Sequence, residues 1–484
     1  MTTVLLILLP LAACLLMLLV SGENAKRAAL GLALVEFALS LYAISQVGQN
    51  PNTLALDIPW MPFGAHFAVN MDGISALMVL LTTLLMPLII LSSFKGNYSN
   101  RFYSLVFMMQ AALIGVFTAM DGFLFYIFWE LALIPIYFIC LIWGGENRSK
   151  ITFKFFIYTL AGSLIMLVGL LYVYMMTPGE HSFAIKDLYE AGQNLGRSEQ
   201  GWVFWAMFLA FAIKMPIFPF HTWQPDTYTT SPTPGTMLLS GIMLKMGTYG
   251  LLRWLMPLVP MGWDSWGSTA MVMCVIGIVY CSLIAIVQTD YKRLIAYSSI
   301  AHVGLIGAGI FAMNTEGVMG GLIQMVAHGI NVVGLFFIAE IIMERTKTRQ
   351  IASLGGIRGV APHFALYFLI IILGSVALPL TNGFVGEFLL LNGVFQYNFW
   401  LSVFAGSTVI LGAVYMLRSY QVMMLGETKA TTSIFTDLDR DESILLGLIC
   451  GMVLFFGVYP KPLIDIAAPA VDELIKTFQA GLVK

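Results

Sequence analysis

"AFAIKMPIFPFHTW", residues 210–223, sets a lysine in the middle of a run that otherwise reads as membrane. Lys214 is followed at once by Pro216 and Pro219, and then by His221. An ionised side chain at the centre of a span costs about 2.5–3.5 kcal/mol on insertion scales. Proline adds a second penalty, because it cannot donate a backbone hydrogen bond and its ring clashes with the preceding turn. The flanking chain leaves no doubt about the surroundings: 59% of the 484 residues are hydrophobic and 10% are charged, with a mean hydropathy of +0.87. Soluble domains carry about 25% charged residues, so this is an integral membrane protein.

Composition also excludes several functions. The net charge of −2 comes with no basic tract for nucleic acid and no polybasic tail for anionic lipid. Cys14, Cys140, Cys274, Cys281 and Cys450 all fall in apolar runs and in no CxxC or CxxH spacing. They read as small hydrophobes, not as a disulfide framework, metal site or cluster site. No GxGxxG or P-loop pattern is present, which assigns nucleotide or flavin chemistry to another chain. The run "VLLILLPLAACLLMLLV" has no basic segment ahead of it and reads as a first membrane helix, not a cleaved signal.

A span needs about 20 apolar residues. On that measure helices fall near 3–21, 28–47, 72–94, 103–120, 122–143, 153–177, 202–229, 237–257, 268–288, 294–313, 317–343, 364–395, 400–425 and 443–460. This predicts an all-α polytopic membrane protein of about fourteen transmembrane helices, the seventh and twelfth irregular. An even count puts both termini on one side. Loops opposite them hold fifteen Lys and Arg residues, among them Arg148, Lys150, Arg345 and Arg349; the termini's side holds Lys186, Arg197, Lys461, Lys476 and Lys484. The positive-inside bias makes the first side cytoplasmic and both termini external. Of the four remaining cations, Arg253 and Arg418 lie toward helix ends, where they can snorkel. Lys214 and Lys245 have no such escape.

Four ionisable residues stand at mid-span: Glu130 in "FYIFWELALIP", Lys214, Lys245 in "LSGIMLKMGTYGLL", and Glu387 in "NGFVGEFLLL". Together they cost about 10–14 kcal/mol on the insertion scale, as much as the whole stability of a domain. Such residues pair with one another or line a hydrated path. His302 in "SSIAHVGLI" and His328 in "IQMVAHGIN" share that depth, and histidine accepts and returns a proton near neutral pH. Taken singly, an intramembrane histidine serves as a hydrogen-bond partner between helices, and Glu130 with a lysine serves as a static pair. Six such groups in one chain favour a relay that exchanges protons. His221 and Asp226 are secondary candidates. Glu340 reads as reaching the cytoplasmic interface, and the direction of Glu36 is open.

The prolines account for the lysine's company. The helix breaks beside Lys214 at Pro216, and freed backbone groups at membrane depth are tolerated only inside protein or along water. Pro379 in "GSVALPLTNGFVGEF" offers a second break, with Glu387 eight residues on. Two interrupted helices in matching places indicate duplicated halves. Pro216 lies 37 residues before Arg253, and Pro379 lies 39 before Arg418; Asp121 precedes Pro216 by 95, and Asp290 precedes Pro379 by 89. Five helices per unit make the second unit inverted. The expected organisation is a three-helix segment (1–100), a first five-helix unit (101–257), a second (268–425), and a C-terminal loop, helix 14 and tail (426–484).

These stretches, with "QTDYKRLIAYSSIAHVGLI" and "LPLTNGFVGEF", resemble the antiporter-like membrane subunits of proton-pumping NADH:quinone oxidoreductase, respiratory complex I, in their M or chain 4 branch. The resemblance runs from about residue 70 to 425. It implies fourteen helices with two inverted five-helix units, Glu130 and Lys214 as an interacting pair, and Lys245 as the central proton carrier. It likewise implies His302 and His328 on the continuing hydrated axis and Glu387 at its end. Related chains L and N and the cation/proton antiporter subunits usually have lysine at that last place; "ALPLTNGF" also departs from the usual Pro-Gly-Thr-rich form. The resemblance further implies neighbours of the L, N and K kinds, a quinone bound elsewhere, and a bacterial inner membrane. NADH, FMN and iron–sulfur clusters would belong to partner subunits, with none in this chain. The alternatives are a subunit of a multi-chain Na⁺/H⁺ antiporter, a ferredoxin-driven relative, or a structural scaffold.

Overall fold

The computed structural model describes residues 1–49 and 51–483. Asn50 lies outside it, as does Lys484, one of the cations counted on the termini's side. Among the described residues, ten helices are long and apolar enough to cross a membrane, from Glu23–Ser45 to Arg440–Val458. Thr2–Met17 and Pro362–Ser375 are shorter apolar helices. At about 1.5 Å per residue, twenty residues match the hydrocarbon core, and a helix satisfies its own backbone where no water is available. The chain is a polytopic helical membrane protein.

It folds as two compact units, one of Met1–Pro216, Ile242–Met271 and Asp465–Lys484, the other of Ile217–Gly241 and Val272–Ile464. In the first, Asp72 caps Gly73–Ser92 by accepting from the Ser75 amide, and Asp121 caps Gly122–Leu131 by accepting from Phe123 and Leu124. The helix expected over 122–143 is divided at Ala132 into Gly122–Leu131 and Leu133–Trp143. The cause is Pro135, which lacks the N–H that would bond the Leu131 carbonyl.

One element departs from the expected all-α chain, and another from the expected C-terminal tail. Leu56–Met61 and Ala65–Val69 form a short antiparallel hairpin turning at Gly64, φ 74°. Its prolines at 59 and 62 disguise it as loop, since proline within a strand is confined to edges and irregularities. The expected tail is a helix, Lys461–Val483. Asp465, Asp472 and Glu473 disqualify it as a span, while Ala467, Val471, Leu474 and Phe478 are buried along one face.

In the second unit, helices Thr315–Thr346 and Asn382–Tyr397 touch backbone to backbone. A Cβ on Gly320 would stand 2.7 Å from the Leu390 nitrogen, and one on Gly393 would stand 2.6 Å from the Gly317 Cα. Glycine permits this approach, as at other membrane helix pairs.

Candidate functional site

The expected break at Lys214 is present. Helix Arg197–Lys214 ends on the lysine itself, and regular helix resumes only at Gln224. Pro216 and Pro219 occupy the non-helical interval. Lys214, 3% exposed, thus sits at the negative end of a helix dipole, among carbonyls without intrahelical donors. Its Nζ stands 5.1 Å from the centroid of Trp129, the residue before Glu130, and the Glu130 carboxylate acts on it electrostatically. Glu130 is the penultimate residue of its helix, two before the Ala132 break; Tyr126, one turn back, hydrogen-bonds it, while its Oε1 is buried without a partner.

Lys245 is fully buried and lies between two wide, π-type stretches, Leu239–Met243 and Leu251–Leu255. Such bulges shift the helical hydrogen-bond register and gather at functional positions. Gly247 seats this segment on the broken end of the Lys214 helix: a Cβ there would meet the Phe211 carbonyl at 2.8 Å and the Met215 nitrogen at 3.1 Å. The first unit thereby brings Glu130, Lys214 and Lys245 into one neighbourhood, each beside an irregularity in its helix.

The second unit assembles the other three. His302 Nδ1 lies 2.9 Å from Glu387 Oε1, out of hydrogen-bond alignment. Gln324 Nε2 donates to the same oxygen at 3.2 Å. His328 Nε2 contacts Ser299 Oγ at 3.1 Å, and the two imidazole rings are 6.1 Å apart. His302, His328, Gln324 and Asn331 line an internal cavity of about 10 Å³, roughly one water molecule's worth. Gln324 Oε1, Asn331 Oδ1 and Asn382 Oδ1 are buried without protein partners, which is the polarity a trapped water requires. Pro379 lies in the interruption between Pro362–Ser375 and Asn382–Tyr397. Ala377 (φ 56°) and Leu380 (φ 74°) flank it in the left-handed region, a conformation costing about 1–3 kcal/mol each for residues with a Cβ.

The secondary candidates have other company. Asp226 pairs with Arg293 at 3.0 Å, and the His221 ring packs against Phe218 and Tyr280. Glu340 accepts from the Thr233 hydroxyl. Glu36 faces inward: it is 1% exposed, and neither carboxyl oxygen has a hydrogen-bond partner.

Arg253 has a partner that the sequence analysis did not foresee. Its side chain is 13% exposed and is paired with Asp72. Burial pushes the Asp72 carboxyl up, but the Arg253 charge and the Ser75 amide outweigh it and hold the group below the ordinary carboxylate range. Gln324, Ser299 and the Asp72–Arg253 pair escaped the sequence reading because uncharged side chains inside an apolar run, and a helix cap, carry no signal of their partner.

A broken-helix membrane fold with buried ionisable groups at the interruptions defines a class of ion-translocating proteins. Residues 119–412 match the family described as "NADH:quinone oxidoreductase/Mrp antiporter, TM", and the chain belongs to that family. It is 40% identical to the NADH-quinone oxidoreductase subunit M of Rhodobacter capsulatus, with 98% of this chain and 96% of that protein covered. A chain of respiratory complex I from Thermus thermophilus superposes with a TM-score of 0.91 at 32% identity, over 99% of this chain and 100% of that one. A chain of the Mrp complex from Dietzia shares the fold, with a TM-score of 0.86 at 19% identity, over 99% of each.

Proposed function

We propose that this chain is a proton-translocating membrane-arm subunit of an NADH:quinone oxidoreductase, of the M or chain 4 kind. The observation that carries the reading is the pair of buried clusters, Glu130–Lys214–Lys245 and His302–His328–Glu387, in a chain 40% identical to a subunit of that name over nearly its whole length. In this reading fourteen helices cross a bacterial inner membrane with both termini outside. Two inverted five-helix units, 101–257 and 268–425, follow a three-helix segment and precede a C-terminal region.

A charge change in a neighbouring subunit separates Glu130 from Lys214. The altered field at Lys245 releases or recruits its proton, and His302, His328 and Glu387 carry protons onward through water. Such transfers are fast only where burial and partners draw the groups' proton affinities together. The chain itself takes no part in redox chemistry; NADH, FMN, iron–sulfur clusters and quinone belong to partner subunits, and chains of the L, N and K kinds adjoin it.

NADH-driven acidification of inverted membrane vesicles tests this. With Lys245→Ala, the assembled complex loses this chain's share of pumping; full pumping overturns the relay. The Na⁺/H⁺ antiporter alternative is supported by the shared Mrp fold. It predicts instead that Lys214→Met leaves NADH-driven pumping intact and abolishes a Na⁺-dependent pH response.

A further inference from the structure

Lys214 and Glu130 stand apart in this structure. Among the described residues Lys214 makes no ion pair. Its ammonium feels the Glu130 charge, yet it lies over the Trp129 ring, 5.1 Å from the centroid. That is within the roughly 6 Å over which a ring face attracts a cation. Glu130 in turn takes its hydrogen bond from Tyr126, one turn back on the same helix face. Successive helical residues point about 100° apart, so the two charges are turned to different sides of one helix. Trp129 faces the interior at 2% exposure, while Glu130 is half-buried. The Trp129 ring is clamped in place. It lies 5.6 Å from Phe125 and 5.5 Å, edge to face, from Phe211. Phe125 is backed by Trp254 at 4.6 Å, and Phe211 by Gly250, where a Cβ would stand 2.4 Å from the Phe211 Cε1.

We propose that Trp129 and Tyr126 are positioning residues that hold this charge pair apart, Trp129 as the resting seat of the Lys214 ammonium and Tyr126 as the resting partner of the Glu130 carboxylate. The inference rests on the relay reading of Lys214 and Glu130 given above. Each charge then has two places to be. Joined, the two satisfy one another; apart, the ring face holds the cation and the phenol hydroxyl holds the anion. A distant charge tips such an equilibrium only by its different interaction with the two states, and the shift it must supply grows with the gap between them. The aromatics narrow that gap from the separated side, because a buried ammonium taken off its carboxylate would otherwise be left uncompensated. A pair that served only to hold helices together would need neither seat. The clamp of Phe125 and Phe211 keeps the seat fixed while the lysine moves, so the return position is the same in every cycle.

The test compares Trp129→Leu, Trp129→Phe, Tyr126→Phe and Lys214→Met in the whole assembled complex. NADH-driven acidification of inverted vesicles is read for each, and the Lys214–Glu130 separation is read from an electron cryomicroscopy structure of the purified complex. Leucine fills the space without a ring face, and phenylalanine restores the face, so the two separate the seat from mere packing. In Trp129→Leu, acidification should fall to the Lys214→Met level, with the ammonium found within about 4 Å of the Glu130 carboxylate, an ion-pair distance. Trp129→Phe should keep most of the wild-type rate and leave the lysine over the ring. Equal rates in the leucine and phenylalanine variants overturn the proposal, and so does a lysine that stays in place without the ring. Should Trp129→Leu fail to assemble, Tyr126→Phe removes a single hydroxyl and decides alone: Glu130 should turn to Lys214 and acidification fall, and an unchanged separation overturns the proposal. Full acidification by Lys214→Met would instead fell the relay reading, and the seat with it. Loss in Lys214→Met beside a normal Trp129→Leu would condemn the seat alone.

Discussion

Glu387 Oε1 is held between His302 Nδ1 at 2.9 Å and Gln324 Nε2 at 3.2 Å, so three helices meet on one carboxyl oxygen. Glu387→Gln keeps the shape and removes the proton carrier. Removing a positioned acid–base group lowers transfer by about 10²–10⁴-fold. The expected result is loss of this chain's share of NADH-driven acidification in a complex that still assembles, and normal pumping by Glu387→Gln would remove it from the relay.

Gly386 keeps that oxygen in reach of its partners. A Cβ there would stand 2.4 Å from Gln324 Oε1 and 2.9 Å from the Gln324 Cα. Overpacking of this kind costs about 1–3 kcal/mol, and here it pushes Gln324 away from Glu387. Gly386→Ala should therefore lower both the thermal midpoint of the complex and its protons moved per NADH. A Gly386→Ala complex unchanged in both would show that the close approach is dispensable.

Glu36 has the opposite character. Its carboxyl is buried with both oxygens unpartnered, and an unsatisfied buried polar group costs about 1–3 kcal/mol. Glu36→Leu should raise the thermal midpoint and leave pumping at the wild-type level. A fall in pumping at full assembly would move Glu36 into the machinery.

Asp437 gives the second unit a pH-dependent tether. Burial alone would push its carboxyl up, but the amides of Leu438, Phe364 and His363 and the His363 ring outweigh it and hold the group below its ordinary range. A depressed carboxyl stabilises above its unfolded pKa, about 3.9, and that stabilisation is lost as pH falls through the folded value. Amide exchange at 363–364 should stay protected, after correction for the intrinsic pH dependence, from neutral pH down to about 4 and open only below. Opening well above about pH 4 would show that Asp437 is not the tether.

The charged part of the site was legible because charge in an apolar run is conspicuous. Lys214 with Pro216 foretold a broken helix, and the helix ends on that residue. The π-type stretches around Lys245 were not legible, since no residue in "LSGIMLKMGTYGLL" forces a wider turn; packing of Gly247 and Gly250 onto Phe211 accompanies it. The pairing of Arg253 was missed because its partner Asp72 is distant in sequence. Gln324 and Asn331 were passed over because an amide matters only once a neighbouring helix puts a carboxyl or a cavity beside it.

Helix Lys461–Val483 has a consequence for biogenesis. The first unit is completed by residues 465 onward, and its Gly73 segment lies so close that a Cβ there would stand 2.0 Å from the Ile466 carbonyl oxygen. At synthesis rates of about 5–20 residues per second, the unit that begins translation first waits tens of seconds for its last piece, while Val272–Ile464 of the second unit is made. A ribosome that stalls late in the message therefore releases a chain whose older half is the unfinished one, and quality control would detect the truncation there.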